Sequence, residues 1–348
     1  MDSDRLTWVR ARRSRVLALL AGAVFLGSVL SPASGEVGVA EGWRLAVAVT
    51  GVPRPVHLDL DAAGRLVVLS HGWRGDVAAE IYRLDLAGGV LDASRALRIV
   101  IPFESPRKVS FGSLVVDPRS GDLFLGEENG NRVYRLTAEE RLAAFAVGLN
   151  HLVGGSSLAF DDRGRLIVLD YASPEVQQRS ESPPPPALDS LSGDAYHGPI
   201  VLRLDPAEDL PAPRRLDLVG ALFPRGRVPR TGGEPLFRFI SVAAGPAGEL
   251  LLLDAVGQLF KLTAESGFQR FAVLPSGHYH RTHMTVARDG SVFVSSGFHV
   301  RRLYRIGPTG AVTTIAWDLG DPSGVAVDRA GNVYVGDGAL HRIIRISP

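Results

Sequence analysis

Short apolar runs, each broken by a turn that carries glycine, organise most of this chain. The clearest example is Pro322-Ser323-Gly324-Val325-Ala326-Val327-Asp328-Arg329-Ala330-Gly331-Asn332-Val333-Tyr334-Val335-Gly336-Asp337. Its pattern predicts a strand, a tight turn closed by Gly331 and a second strand. The same phrase stands around Gly64, Gly121, Gly164, Gly248 and Gly290. Successive anchor glycines are 57, 43, 84, 42 and 41 residues apart, a basic period of about 42 that marks a repeat.

Each phrase is followed by a third strand with a basic residue next to last: IYRL, VYRL, VLRL, LFKL, LYRI and IIRI place Arg83, Arg135, Arg203, Lys261, Arg305 and Arg345 in register. A position repeated six times reads as structural, a partly buried cation satisfied within or between repeats. Fourth strands are expected at RALRIV, LAAFAV, RRLDLV, FQRFAV and AVTTIA. The interval of 84 is absorbed by an insertion at about 171–198, whose Pro183-Pro184-Pro185-Pro186 cannot pair in a sheet and predicts a long surface loop. The last repeat ends without a fourth strand, while Trp43 to Val49 stands unclaimed ahead of the first. If Trp43 to Val49 pairs with Ile343 to Ile346, a ring closes with no open edge. Four-stranded units in closed radial array predict an all-β, six-bladed β-propeller over 43–348. The segment SGVAVDRAGNVYVGDGALHRIIRI also resembles the NHL-repeat family, with decreasing clarity over 43–348.

The N-terminus has a different character. Arg5, Arg10, Arg12, Arg13 and Arg15 precede an apolar stretch from Val16 to Leu30, followed by Ser31-Pro32-Ala33-Ser34-Gly35. This is the layout of a secretory signal peptide over 1–35, with a short linker at 36–42. The apolar run is shorter than the roughly 20 residues that span a bilayer; an uncleaved anchor is the alternative. The expectation is export to the periplasm or the extracellular space, with no transmembrane domain after signal removal.

Composition narrows the chemistry. Cysteine is absent, which removes disulfides, thiolate metal sites and a cysteine nucleophile. The formal net charge is +1, and residues 1–35 carry five Arg against two Asp, so the remainder stands at −2. That balance gives no electrostatic footprint for nucleic acid.

Candidate chemistry clusters in the loops. In propellers of the kind resembled, second-to-third and fourth-to-first connections share the face around the channel mouth, and eight of the nine histidines fall there. His57, Ser113, Ser157, Ser241, His283 and Gly324 hold equivalent places at the mouth-side start of the innermost strands. His57, His278, His280 and His283 form a candidate metal set for zinc or calcium, because neighbouring imidazoles ligate zinc or transfer protons near neutral pH; the alternative is loop histidines bonded to backbone and water. Ser70, Glu127, Asp170, Asp254, Ser296 and Asp337 make a second ring, either acid–base or calcium chemistry or short acceptors that cap turns. Glu127 and Glu128 are the candidate catalytic carboxylates. Asn129, Asp170, His151 and the arginines Arg225, Arg227 and Arg230 are candidate ligand contacts, the arginines as a clamp for carboxylate or phosphate.

Two enzymatic relatives of the resembled fold depart from this sequence. Gluconolactonase-type propellers hold a divalent metal through Glu, Asn and Asp at places occupied here by Val56, Gly112, Ser156, Ile240, Thr282 and Ser323. Peptidylglycine-amidating lyases place zinc-binding His there, whereas His57 and His283 stand one residue later, which in a strand reverses the side chain. The expected function is a binding scaffold that presents its His-rich mouth to a small molecule or protein; the alternative is a metal-assisted hydrolase or lyase acting on a small anionic substrate.

Overall fold

The computed structural model describes residues 37–348 apart from 72–78, 87–88, 102–109, 129–131, 148, 150–155, 172–198, 207–216, 222–229, 232–233, 236–238 and 264–266. The candidate signal peptide, most of the insertion, and Asn129, His151, Arg225 and Arg227 lie outside the described residues.

Six antiparallel four-stranded sheets form the blades. Their innermost strands are Pro55–Leu60, Phe111–Val116, Leu158–Phe160, Phe239–Ala244, Met284–Val286 and Pro322–Val327. Each is followed by the anchor turn, and all six anchor glycines adopt φ between 70° and 84°. That left-handed region is open to glycine without a Cβ penalty, which is why the repeat is punctuated by this residue. Outer strands occur where the fourth runs were expected, at Leu97–Val100, Leu142–Ala146, Asp217–Ala221, Gly267–Val273 and Val312–Trp317.

Blade 6 is completed from the other end of the chain. Arg44–Thr50 runs antiparallel to Arg342–Ser347, with Leu45 opposite Ile346 and Val47 opposite Ile344. Two further short pairings tighten this seam: Gly38–Val39 extends blade 5 beside Trp317 and Ala316, and Leu91–Asp92 adds a parallel edge to Val49–Thr50.

The core is divided into wedges between neighbouring blades rather than gathered in one centre. Ile240, Leu251 and Leu253 of blade 4 pack with Met284, Val294 and Tyr304 of blade 5. Leu58, Leu66 and Tyr82 of blade 1 pack with Ala326, Tyr334 and Ile343 of blade 6. Where two blades approach most closely a side chain is excluded: a Cβ on Gly324 would sit 2.9 Å from the backbone of both His57 and Leu58.

The repeated cation is held at the outer side of the anchor turn. Arg135 meets Asp122 at 2.5 Å, Arg203 meets Asp161 at 3.5 Å, Lys261 meets Glu249 at 3.9 Å and Arg305 meets Asp289 at 3.4 Å. In each of these blades the carboxylate flanks the blade's own first turn, so the third strand is clamped to the hairpin before it. Arg345, on the last blade, is exposed instead.

Candidate functional site

The innermost strands leave one edge free toward the axis, and its N–H groups need acceptors. Neighbouring blades supply them. Val116 N–H donates to Asp59 Oδ2 at 2.8 Å, Ser157 N–H to Ser113 Oγ at 2.8 Å, Val242 N–H to the Ser156 carbonyl at 2.7 Å and Val325 N–H to His283 Nδ1 at 3.0 Å. Ser323 Oγ links blade 6 back to blade 1 by donating to the Pro55 carbonyl at 2.6 Å. The ring of small polar residues is thus chiefly a stitch between blades.

His57 breaks this pattern. It occupies the repeat position of His283, yet neither ring nitrogen makes a hydrogen bond, although the backbone of Gly112 approaches the ring. The two imidazoles lie 3.7 Å apart between centroids with their planes tilted by 35°. Burial pushes the His57 pKa down to about 3. Burial, and then the charge of His57, holds His283 well below the ordinary histidine value. Both rings are therefore neutral at physiological pH.

Above the pair lies a small cleft lined by Val56, His71, Gly112, Glu128, Arg281 and Thr282. Its polar side chains come from three blades. Glu128 accepts from Ser110 Oγ at 2.9 Å and from Arg281 Nη2 at 3.2 Å. His71 Nε2 stands 2.8 Å from the Phe111 carbonyl and 3.9 Å from Glu128 Oε2. Burial outweighs the Phe111 carbonyl and Glu128, and it lowers the His71 pKa. The imidazole is then neutral with its proton on Nε2, leaving the Nδ1 lone pair as a base. Arg281 reaches this cleft from a backbone with φ of 53°, a left-handed conformation that costs a non-glycine residue about 1 kcal/mol.

Bulges shape the cleft floor. The register of the innermost strand slips between Pro55 and His57, Phe111 and Ser113, Phe239 and Ser241, and Pro322 and Val325. Each slip leaves a spare residue at one repeat position, and such bulges re-aim the neighbouring side chains. Val56, Gly112 and Thr282, which the resemblance marked as ligand positions in lactonases, do face the cleft. None of them carries a carboxylate or an imidazole.

The other candidates separate. Glu128 belongs to the cleft; Glu127 ends the second strand of blade 2, opposite Phe111. Asp170 is fully buried at the equivalent place in blade 3, opposite Ile200. Asp254 and Asp337, in that same ring, accept backbone N–H groups of the turns that follow them, so these two are caps. Arg230 lies in a two-residue ribbon paired with Pro235. The four candidate metal histidines form two pairs: His57 with His283, and His278 with His280, whose parallel rings are 6.2 Å apart beside His299. Among the described residues no three His, Asp or Glu side chains converge as metal ligands. With Glu128 committed to Arg281 and Ser110, the cleft does not fit a zinc or calcium centre.

His71 and Arg281 were not among the sequence candidates for a direct role. A signal for His71 exists: it and Glu128 both stand seven residues after an anchor glycine, one place beyond the ring of six that contains the turn caps. Arg281 carries no comparable mark inside His278-Tyr279-His280-Arg281-Thr282-His283.

No protein-family profile matches the chain, and no curated protein matches it in sequence. Solved structures do. A gluconolactonase from Xanthomonas campestris superposes with a TM-score of 0.58 at 16% identity, covering 89% of this chain and 91% of its own. A streptogramin B lyase gives 0.54 at 11% identity, over 88% and 97%. The PQQ domain of pyranose dehydrogenase from Coprinopsis cinerea gives 0.56 at 10% identity, over 90% and 97%. At such identities the likeness concerns architecture: this chain is a six-bladed β-propeller, a scaffold it shares with lactonase, lyase and PQQ-domain proteins.

Proposed function

We propose that this protein is an exported, NHL-like propeller that binds a small polar molecule at its mouth, through His71, Glu128 and Arg281. The observation that supports this reading is the convergence of these three side chains, from three blades, over one cleft floored by neutral imidazoles. Arg281 offers N–H donors to a carbonyl or carboxylate, and Glu128 accepts from a hydroxyl, so hydroxy acids and their lactones match the donor and acceptor pattern. Residues 1–35 act as the export signal, and sequencing the N-terminus of the secreted protein tests that part. For binding, a panel of hydroxy acids and lactones is screened by thermal shift. Members that stabilise the wild type should fail to stabilise R281A; no stabilisation by any member would overturn the reading.

A second reading is favoured by the Nδ1 of His71, which accepts no hydrogen bond among the described residues. A neutral, buried base beside a carboxylate–guanidinium pair can take a proton from a substrate without a metal. Among the structural neighbours, a virginiamycin B lyase from Staphylococcus aureus is described as catalytically inactive when a histidine is replaced by alanine. Here the test is turnover of gluconolactone and of quinupristin. Activity that survives EDTA and disappears in H71A supports proton-transfer catalysis; activity that EDTA abolishes, or that H71A retains, excludes it.

A further inference from the structure

Below the imidazole pair the axial channel opens into a cavity of about 310 Å³, distinct from the mouth cleft and lined by the innermost strands of blades 1 to 5. Its walls are mixed: Val116, Leu158, Val242 and Met284 give it aliphatic patches, while polar atoms make up the larger part of its exposed lining. Two polar features stand out. Asp59 reaches the channel with Oδ1 on the Leu60 N–H at 2.7 Å and Oδ2 on the Val116 N–H at 2.8 Å, and among the described residues no cation pairs with it. The other channel carboxylate, Asp161, is neutralised by Arg165 at 2.8 Å. At the inner end stands His57, only 1% exposed and with both ring nitrogens unpartnered.

We infer that this channel is a second ligand site, independent of the mouth, and that it takes an organic ammonium ion whose charged head sits on Asp59 and whose short hydrocarbon body lies along the aliphatic side chains of the wall. The reasoning is one of complementarity. A buried carboxylate is costly unless a cation or sufficient hydrogen bonds compensate it. Two N–H groups compensate Asp59 only in part: burial, with the like charge of Asp61 adding a little, still raises its pKa to about 6. A hard metal ion would want six or more oxygen ligands, and among the described residues this wall offers one carboxylate without a cation. An alkylammonium ion needs only one carboxylate and an aliphatic patch for its chain, such as Val116, Leu158 and Val242 provide. The neutral His57 ring supplies one acceptor for a second N–H or O–H further along such a molecule.

The experiment titrates n-butylammonium chloride into the full chain by calorimetry at pH 8 and pH 5, with n-butanol and calcium chloride as controls. The other ionisable groups facing the channel do not confound the comparison. His57 and His283 remain neutral throughout, while Asp61 and Asp161 are each tied to an arginine. Binding should be detected at pH 8 and weaken about tenfold at pH 5, as the proton competes for Asp59. Butanol should give no comparable heat. D59N, which keeps an acceptor for the Val116 N–H, should lose binding. So should A244F, which fills the bore from the wall of blade 4; it decides the question if D59N fails to fold. The inference is overturned if both variants bind butylammonium like the wild type, if butanol binds equally well, or if calcium binds and butylammonium does not.

Discussion

The rings of His57 and His283 lie 3.7 Å apart between centroids, tilted by 35°, and burial depresses the pKa of both. Both pKa values are depressed in the fold, so the unfolded chain binds more protons than the native state once the pH drops below the ordinary histidine value near 6.5. Stability should therefore be full above pH 6.5 and decline as the pH falls toward 4, at up to about 1.4 kcal/mol per pH unit for each ring. Asp59, raised to about 6, acts in the opposite sense: its contribution is present at low pH and is lost as the pH rises from about 4 to 6. Urea midpoints measured from pH 8 to pH 4 should fall for the wild type and flatten for H57L. An equal slope in the variant would rule out the imidazole pair as the source.

The protonation states themselves can be read directly. His283 Nδ1 accepts from Val325 N–H, and His71 Nε2 sits against the Phe111 carbonyl, so each ring should carry its proton on Nε2. Two-bond nitrogen–proton correlation spectra at pH 7 distinguish the tautomers. An Nδ1–H tautomer at His71 would remove the base assigned to the mouth cleft.

Gly324 tests the closeness of blades 6 and 1. A methyl group there meets main-chain atoms of His57 and Leu58, which cannot swing aside as a flexible side-chain end could. G324A should cost about 1–3 kcal/mol, the usual range for overpacking. A denaturant midpoint within error of the wild type would show that the seam can open.

The repeated cation is exposed to different degrees in different blades. Asp122 is buried beneath Arg135, so D122A strands a half-buried guanidinium and should destabilise by about 1–3 kcal/mol. Arg345 is exposed on its blade, and R345A should change stability by no more than about 0.5 kcal/mol. Thermal melts of the two variants side by side check the contrast.

The architecture was legible because it rests on periodicity. Glycine at φ near 75°, two-residue alternation and the orphan strand at Trp43 to Val49 are each imposed by local backbone geometry, and the sequence displays all three. The site was only partly legible, since it depends on which way a side chain turns at a bulge. Counting six residues past the anchor glycine finds turn caps such as Asp254 and Asp337; counting seven finds His71 and Glu128. In an extended chain that single step changes the face entirely. His57 and His283 occupy one repeat position, yet only contact with the next blade reveals that the His283 ring is a stitch and the His57 ring is not. Arg281 depends on a left-handed backbone at a non-glycine residue, for which the chain offers no advance sign.

The latch that completes blade 6 joins Arg44 to the carbonyl of Pro348, 304 positions further along. Joining such remote points carries a large entropic toll, and contacts of this range slow folding. Synthesis must pass Arg342–Ser347 before the circle can shut. Until then five finished sheets wait with two raw margins, and no earlier strand is spare to cover them.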